Sequence, residues 1–225
     1  MKKKSTRPAG RPAARPGRDA RELLLTAAME LFAAHGVAAT TFAMIAKRAG
    51  LTPAMLHYYF TDRDALLDAV VDERLAVLLA SVWDPVQPGA AAEEMLRGVV
   101  ERLLTGIERH PWVPSTWMRE ILNDDGLLRT RVVRRLPFAK VRLVGEAMAR
   151  GQKSGSIHTE IDPVLIVFSA VGLVMLHMAT LRFFSETFQR PVPDKDAICR
   201  HITGILLHGL ERRPLAAKRK QRRKN

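Results

Sequence analysis

The chain has 225 residues, a formal net charge of +13 and one cysteine, Cys199. One cysteine excludes an internal disulfide, and Lys2-Lys3-Lys4 leads into proline, arginine and alanine rather than an apolar stretch, so we expect no signal peptide and a cytoplasmic protein. Residues 1–18 carry seven basic and no acidic side chains, and residues 212–225 carry eight and none. The remaining chain, residues 19–211, is nearly neutral, and its abundant alanine and leucine with few aromatics favour an all-α fold.

Both basic ends are predicted to be disordered, because residues 1–18 consist largely of proline, glycine, alanine and arginine without an apolar face. The stretch Ala9-Gly10-Arg11-Pro12 is similar to the arginine hooks with which architectural proteins enter the DNA minor groove, which makes Arg11 a candidate DNA contact. A solvated basic tail without a specific contact explains the composition equally well. The tail at residues 212–225 is interpreted in the same way.

Three helices are predicted over residues 20–60. The first, residues 21–35, ends at His35-Gly36 and has one apolar stripe, formed by Leu24, Ala27, Ala28, Leu31 and Phe32. Thr41 is placed to cap the second helix, and Gly50 suits the left-handed residue just past its end. Thr52 is placed to cap the third helix, with Pro53 at its first position. Two short helices around a glycine turn predict a helix-turn-helix, whose second helix lies in the DNA major groove.

The order of these elements resembles the tetracycline-repressor (TetR) family of bacterial transcriptional regulators. The resemblance covers roughly residues 20–70 and rests on Ala28-Met29-Glu30-Leu31-Phe32 with His35-Gly36, residues 41–50, Tyr58-Tyr59-Phe60 and Leu66-Leu67. It implies a helix-turn-helix domain at residues 19–64 and a larger helical domain at residues 65–211 that binds a small apolar or amphipathic ligand and dimerises. Such a protein represses transcription by blocking a promoter, although activation is an alternative. It needs no cofactor.

The predicted recognition helix has no lysine or arginine between Thr52 and Phe60. Base recognition is therefore expected from hydroxyl, imidazole and apolar contacts of Thr52, Ala54, Met55, His57 and Tyr58. The resemblance implies that Tyr58, Tyr59 and Arg63 contact phosphates, with Thr41 and Lys47 on the other side. Arg63 stands where the family usually has a lysine, and Tyr59 is the tyrosine expected to pack in the core.

The rest of the chain is predicted to be helical, with no convincing strand. We expect a split or kink at Pro137 and a loop at residues 151–155. The predicted helices are residues 62–82, 90–109, a short one through Trp117 and Ile121, 127–150, 163–189 and 194–211.

The resemblance implies that the last two helices, about residues 161–189 and 194–211, form a four-helix bundle between two subunits. Bulky apolar and a few polar side chains make a candidate ligand site, although the same residues describe an ordinary core: Trp112, Trp117, Met118, Glu120, Phe168, Met175 and His177. The basic run between Arg129 and Arg142 could favour an anionic ligand, but a solvated face is the better interpretation. The uncharged stretch at residues 163–181 has nearly membrane-spanning length, yet a core helix or an oligomer interface explains it better.

Two other classes of protein compete with a ligand-responsive regulator. An enzyme is disfavoured because there is no phosphate-binding glycine loop and no nucleophile elbow. No metal site is expected, since His201 and His208 share a helix face without a carboxylate at ligand spacing. A constitutive architectural DNA-binding protein would need no ligand, but it leaves a body of about 150 residues unexplained.

Overall fold

The computed structural model describes residues 16–210, and every helix or strand element in that range is a helix, so the expected all-α fold is confirmed. The candidate contact Arg11 and the predicted tail at residues 212–225 lie outside the described residues. The chain divides into two compact units, Met1–Val70 and Val71–Asn225.

The N-terminal unit contains four helices: α1 (Pro16–His35), α2 (Phe42–Ala49), α3 (Pro53–Tyr59) and α4 (Arg63–Val70). Helix α1 begins at Pro16 rather than at residue 21, because proline at the first helical position lacks only an N–H that would have no partner there. The expectation of disorder through residue 18 is therefore wrong for its last three residues.

Helix α1 packs against the other three helices of this unit. Its buried face differs slightly from the predicted stripe, because Leu25 and Met29 are buried whereas Leu31 is only half-buried. The core they form is completed by apolar side chains from α2, α3, α4 and the turns between them, including Ile45, Ala46, Leu56, Phe60 and Leu66.

The local signals that predicted the helix-turn-helix are confirmed. The hydroxyl oxygen of Thr41 accepts a hydrogen bond from the backbone N–H of Met44 at 3.3 Å, and the hydroxyl of Thr52 accepts one from Met55 at 3.3 Å. Gly50 has a left-handed backbone with φ of 70°, and Pro53 opens α3. Each cap stabilises its helix by about 1 kcal/mol, which fixes the ends of two helices too short to form alone.

The C-terminal unit is built around one amphipathic helix, α6. Before it lies α5 (Ala76–Trp83), and after it the described chain continues to residue 210 through five more helices. These elements are α6 (Ala92–Arg109), α7 (Val113–Thr116), α8 (Arg129–Val133), α9 (Phe138–Ser154), α10 (Leu165–Thr187) and α11 (Lys195–Leu210).

Helix α6 contacts α5, α9, α10 and α11, so it forms the centre of the second core. Its buried side chains recur at intervals of three and four residues, as an amphipathic helix requires: Met95, Leu96, Val99, Val100, Leu103, Leu104 and Ile107. Trp83 from α5, Met148 from α9 and Ile202 from α11 complete the same cluster.

Pro137 splits the predicted helix 127–150, as expected, with α8 ending at Val133 and α9 beginning at Phe138. The predicted loop at residues 151–155 is wrong, because α9 continues to Ser154 and ends at Gly155, which has φ of 77°. A Cβ on Gly151 would lie 2.5 Å from Ile157, so this glycine permits close packing of the returning chain rather than ending the helix. The side chain of Gln152 then donates hydrogen bonds to the carbonyls of His158 and Ile161 at 3.1 and 2.7 Å.

Two short π-helical segments, Val71–Leu75 and Trp117–Ile121, interrupt or follow α-helices of the C-terminal unit. In the second, the N–H of Leu122 bonds the carbonyl of Trp117 five residues earlier at 3.0 Å. Helix α8 contacts both segments, and the Arg135 guanidinium just beyond it pairs with the Asp72 carboxylate at 2.8 Å. Neither segment was predicted from the sequence.

Helix α10 is buried over only part of its length. Its buried residues extend from Ile166 to Met175, and none of its later residues is buried in the single chain. By length and composition α10 could cross a membrane, and because only 28% of that apolar window is buried within the chain, the single-chain core does not account for its apolarity. The exposed apolar residues on this helix and just beyond it include Leu165, Phe168, Leu176, Phe183, Phe184 and Phe188.

Candidate functional site

The outer face of the helix-turn-helix is formed by α3. Leu56 is its buried anchor, whereas Ala54, His57 and Tyr58 are exposed, as is the capping residue Thr52. Tyr58 is 83% exposed. Met55 and Tyr59 are half-buried, and the two tyrosine rings meet edge to face with centres 5.1 Å apart. The face that is free to meet DNA therefore contains four of the five predicted base-contacting residues in full and Met55 in part.

His57 has an aromatic neighbour on the preceding helix. The Phe42 ring at the start of α2 lies 5.2 Å from the imidazole ring, centre to centre, at an interplanar angle of 53°. Such tilted contacts restrict a side chain that would otherwise sample several rotamers in water. Phe42 therefore orients His57 from the opposite side of the turn.

The predicted phosphate contacts Thr41 and Lys47 are both exposed on α2. Beside Lys47, the Arg48 guanidinium donates from Nε to the Glu30 carboxylate at 2.7 Å and so links α2 to α1. This pair is exposed and contributes little to stability, but it engages a cation that would otherwise be free to bind DNA.

Arg63 lies in a different environment from the phosphate contact that the resemblance implies. Its guanidinium donates one hydrogen bond to the carbonyl of Thr40 at 2.9 Å and a second to the carbonyl of Val37, and the side chain is half-buried. The planar fork of an arginine can reach two carbonyls at once, which the single ammonium of a lysine does less well. Arg63 thus joins the start of α4 to the loop between α1 and α2.

That loop is closed from within by a side chain that the sequence analysis overlooked. Thr40 is buried, and its hydroxyl donates to the carbonyl of Gly36 at 2.8 Å. Gly36 has φ of 84°, which only glycine adopts readily. The available signal was a second threonine directly before the capping Thr41, because only one of the two can cap α2 and a buried Thr40 hydroxyl requires a partner within the chain.

The structure brings some of the seven candidate ligand residues of the C-terminal unit to one core and leaves others outside it. Met175 is part of the core, and Trp112 and Trp117 are partly buried against that core. Phe168 is 63% exposed and Met118 is 41% exposed, so neither belongs to an interior site of the single chain. Bulky apolar residues were the selection criterion, and such residues occur on outer helix faces as well as inside.

Glu120 is the candidate that lies in an unusual place. It is buried within the π-helical segment, and the neighbouring Thr116 is fully buried with no hydrogen-bond partner for its hydroxyl in the described chain. A Cβ on Gly126 would lie 2.2 Å from the backbone oxygen of Glu120, so the following turn packs tightly against this segment. A polar patch inside an apolar body is a suitable anchor for the polar group of a ligand.

A separate pocket of about 400 Å³ lies between α6 and α11, and none of the seven candidates lines it. Its rim carries Arg97, Glu101 and Arg200, and Cys199 lies among its lining residues. Burial raises the pKa of the Cys199 thiol, which keeps it protonated and weakly nucleophilic. This favours a structural role for Cys199 over a redox sensor.

The outer faces of α10 and α11 contain glycines for which the single chain gives no packing reason. A Cβ on Gly172 or Gly204 would meet no atom within 4 Å, although glycine inside a helix costs roughly 0.5–1 kcal/mol relative to alanine. Ile205 is exposed beside Gly204, whereas Leu206 is only 5% exposed and belongs to the core. The open face of α11 therefore includes Ile205 but not Leu206.

A capped helix-turn-helix with an exposed recognition helix, followed by a separate helical unit, defines a one-component DNA-binding regulator. The family model described as "Bacterial regulatory proteins, tetR family" matches residues 24–70. A second family model, described as "Tetracyclin repressor-like, C-terminal domain", matches residues 93–205. The chain belongs to the TetR family of bacterial regulatory proteins. Members of the family bind operator DNA and small-molecule effectors, typically as dimers.

Known proteins agree with this assignment along most of the chain. The uncharacterized HTH-type transcriptional regulator YhgD of Bacillus subtilis (strain 168) is 22% identical over 192 residues, which cover 85% of this chain and 97% of that protein. The FadR regulator of Bacillus subtilis, solved in complex with stearoyl-CoA, has a TM-score of 0.63 at 18% identity, covering 84% of this chain and 99% of FadR. AibR, solved with isovaleryl coenzyme A and operator DNA, has a TM-score of 0.66 at 21% identity, covering 84% of this chain and 98% of AibR.

Proposed function

We propose that the protein acts in the cytoplasm as a homodimer that occupies a palindromic operator and leaves it when a small apolar or amphipathic effector binds. The observation that carries the proposal is the face of α3, which is exposed and contains no lysine or arginine. Internal hydrogen bonds of Thr40 and Arg63 hold the loop between α1 and α2 in the same DNA-binding unit. Residues 19–64 would bind DNA, and residues 65–211 would bind the effector and the second subunit.

In this proposal α3 enters the major groove. Thr52, Ala54, His57 and Tyr58 contact base edges and thymine methyl groups, with Met55 at the edge of the contact. Thr41, Lys47 and the Tyr59 hydroxyl contact phosphates and set the register. Long-range attraction comes from the two basic ends, where Arg11 is the candidate minor-groove contact, because the folded part of the chain is nearly neutral.

The proposed dimer pairs α10 and α11 with the same helices of a second copy. The exposed apolar residues of α10 support this, because an isologous contact would cover the same patch on each subunit. Gly172 and Gly204 support it as well, since open glycines let two helix backbones approach closely. A dimer presents two recognition helices about 34–36 Å apart, on successive turns of the major groove. In such a dimer the exposed apolar residues of α10 are covered by protein rather than by membrane lipid.

The effector is proposed to bind beside Trp112 and Trp117, with its polar group near Thr116 and Glu120. The fully buried, unpartnered hydroxyl of Thr116 supports this location. Two proteins of the same fold were solved with acyl-coenzyme A thioesters, so this ligand class is the first to test. Binding would release the operator only if the effector favours a conformation in which the two heads no longer match the groove spacing.

The test begins with selection of the operator from random DNA by the purified full-length protein. Fluorescence anisotropy of that operator is then measured with acyl-coenzyme A thioesters of short, medium and long chains, and with the corresponding free acids. We expect a palindromic site, and release by at least one compound. The variant Thr116→Val should lose that release and keep operator affinity, whereas Ser115→Ala serves as the matched control on the same short helix.

An operator complex that ignores every apolar and amphipathic compound while binding DNA normally would favour the alternative, a constitutive DNA-binding protein. A selected site without two-fold symmetry would contradict the dimer.

A further inference from the structure

Two histidines on neighbouring helices of the C-terminal unit face each other. His177 on α10 and His201 on α11 have ring centres 5.6 Å apart and an interplanar angle of 61°. His177 is half-buried, and His201 is exposed. In the sequence His201 shares a helix face only with His208, and no sequence spacing links it to His177.

The backbone fixes the proton of one of these rings. Nδ1 of His177 lies 2.7 Å from the carbonyl oxygen of Leu173, one turn earlier on α10. A carbonyl oxygen only accepts, so Nδ1 carries the hydrogen and donates it, and the lone pair of the neutral ring is on Nε2. A donated N–H to a backbone carbonyl is the usual support of a metal-binding histidine, because it orients the ring and makes the free nitrogen more basic.

The separation of the rings suits a shared metal ion. Imidazole nitrogens bind Zn²⁺ at about 2.0–2.1 Å, so two rings on one tetrahedral ion have their centres about 5 Å apart. The observed 5.6 Å is close to that distance. Imidazole suits Zn²⁺, Cu²⁺ and Ni²⁺, whereas Mg²⁺ and Ca²⁺ prefer oxygen ligands.

One chain supplies too few ligands for a complete site. Among residues 16–210, no three histidine, cysteine or acidic side chains lie together as a metal site. The two histidines nevertheless lie near open faces of α10 and α11, with exposed Leu176 next in the chain to His177 and exposed Ile205 one turn after His201. An isologous contact through these faces brings the same patch of each chain together.

We infer that His177 and His201 form half of a transition-metal site that the same two histidines of a second copy complete, giving four imidazole ligands for one Zn²⁺-class ion at the subunit interface. The inference rests on the proposed dimer of α10 and α11. Four neutral nitrogen ligands in a tetrahedron are typical of Zn²⁺, and Co²⁺ can replace it as a coloured probe. Metal bound in this way holds two subunits together and so strengthens operator binding indirectly.

The experiment uses the full-length protein after treatment with EDTA. Co²⁺ is titrated while the visible d–d bands of tetrahedral Co²⁺ are recorded, and sedimentation equilibrium is measured with and without Zn²⁺. We expect saturation at one ion per two chains. With Zn²⁺ at about 100 times its dissociation constant, linkage lowers the dimer dissociation constant on the order of 100-fold. His177→Asn and His201→Asn should each remove both effects, whereas His35→Asn and His208→Asn should keep them.

The outcomes separate this inference from the proposed dimer. A metal-free dimer that is indifferent to Zn²⁺ leaves the dimer standing and overturns the shared site. A metal-free monomer that dimerises on addition of Zn²⁺ supports the site and shows that assembly depends on it. Saturation at one ion per chain without any change in assembly, or unchanged binding in His177→Asn and His201→Asn, overturns the inference.

Discussion

Replacing Arg63 distinguishes a structural role in the DNA-binding head from the phosphate contact implied by the family resemblance. In the structure its guanidinium donates to the carbonyls of Thr40 and Val37. Arg63→Ala removes both bonds, and Arg63→Lys keeps the charge while losing the fork that reaches two acceptors at once.

The magnitude follows from the number and exposure of the bonds. A hydrogen bond from a charged donor contributes about 1.5–3 kcal/mol, and the half-exposed position of Arg63 favours the lower end. Arg63→Ala should therefore lower the free energy of unfolding of the DNA-binding unit by about 2–3 kcal/mol, and Arg63→Lys should lower it by about half of that. Operator affinity should fall for all sequences alike, because the loop before α2 loses its support and the base-contacting residues are unchanged.

Salt dependence separates the two roles. Each phosphate contact contributes about −0.9 to the slope of the logarithm of affinity against the logarithm of salt concentration. An internal Arg63 makes no such contribution, so Arg63→Ala should leave the slope unchanged. Lys47→Ala is the matched control, because Lys47 is exposed and its removal should make the slope less steep.

The assay is operator binding at several salt concentrations, together with hydrogen exchange of the Thr40 amide. That amide donates to the Val37 carbonyl at 3.1 Å and should exchange faster in Arg63→Ala. Equal losses of slope in Arg63→Ala and Lys47→Ala, with unchanged exchange at Thr40, would refute the structural role and restore the phosphate contact.

Four further predictions follow from other parts of the chain. His57→Ala should change the ranking of operator variants by about 1–3 kcal/mol at the affected base pair, and an unchanged ranking would exclude base recognition by His57. Deleting residues 2–15 should weaken operator binding and flatten its salt dependence while the preferred site stays the same; identical slopes would show that the arm makes no DNA contact. Leu176→Glu should give folded monomers, whereas Leu206→Glu should unfold the C-terminal unit because Leu206 is a core residue, and sedimentation with circular dichroism separates these results. Gly126→Ala should lower the midpoint of thermal unfolding, since a Cβ would lie 2.2 Å from the Glu120 backbone oxygen; an unchanged midpoint would mean that the turn adapts at no cost.

The helix-turn-helix could be predicted in detail because its determinants are local. Thr41, Gly50, Thr52 and Pro53 act on backbone groups within a few residues, so their spacing alone indicates where each helix begins and ends. The exposed face of α3 followed from the same spacing, because one buried anchor at Leu56 determines which side chains point outward.

Features that depend on distant contacts were not predictable from the sequence. The carbonyls that receive Arg63 lie more than twenty residues away, and the pairing of His177 with His201 depends on how α10 packs against α11. Gly151 is typical of a loop in the sequence. In the structure it lies within α9, and its lack of a side chain leaves room for Ile157 where the chain returns. The candidate ligand residues stay a prediction for a related reason, because apolarity does not say whether a neighbouring helix, a second subunit or a ligand covers a side chain.

The open glycines of α10 and α11 also bear on which chains can pair. Where a cell contains other proteins of this fold, their equivalent helices offer apolar faces that could form mixed dimers. In the proposed dimer, close approach at Gly172 and Gly204 would admit only a partner whose surface fits against two bare stretches of backbone. A paralogue with larger side chains there would be held too far away to bury its apolar face. Two missing side chains per subunit could therefore keep this regulator from mixing with its paralogues and responding to their signals.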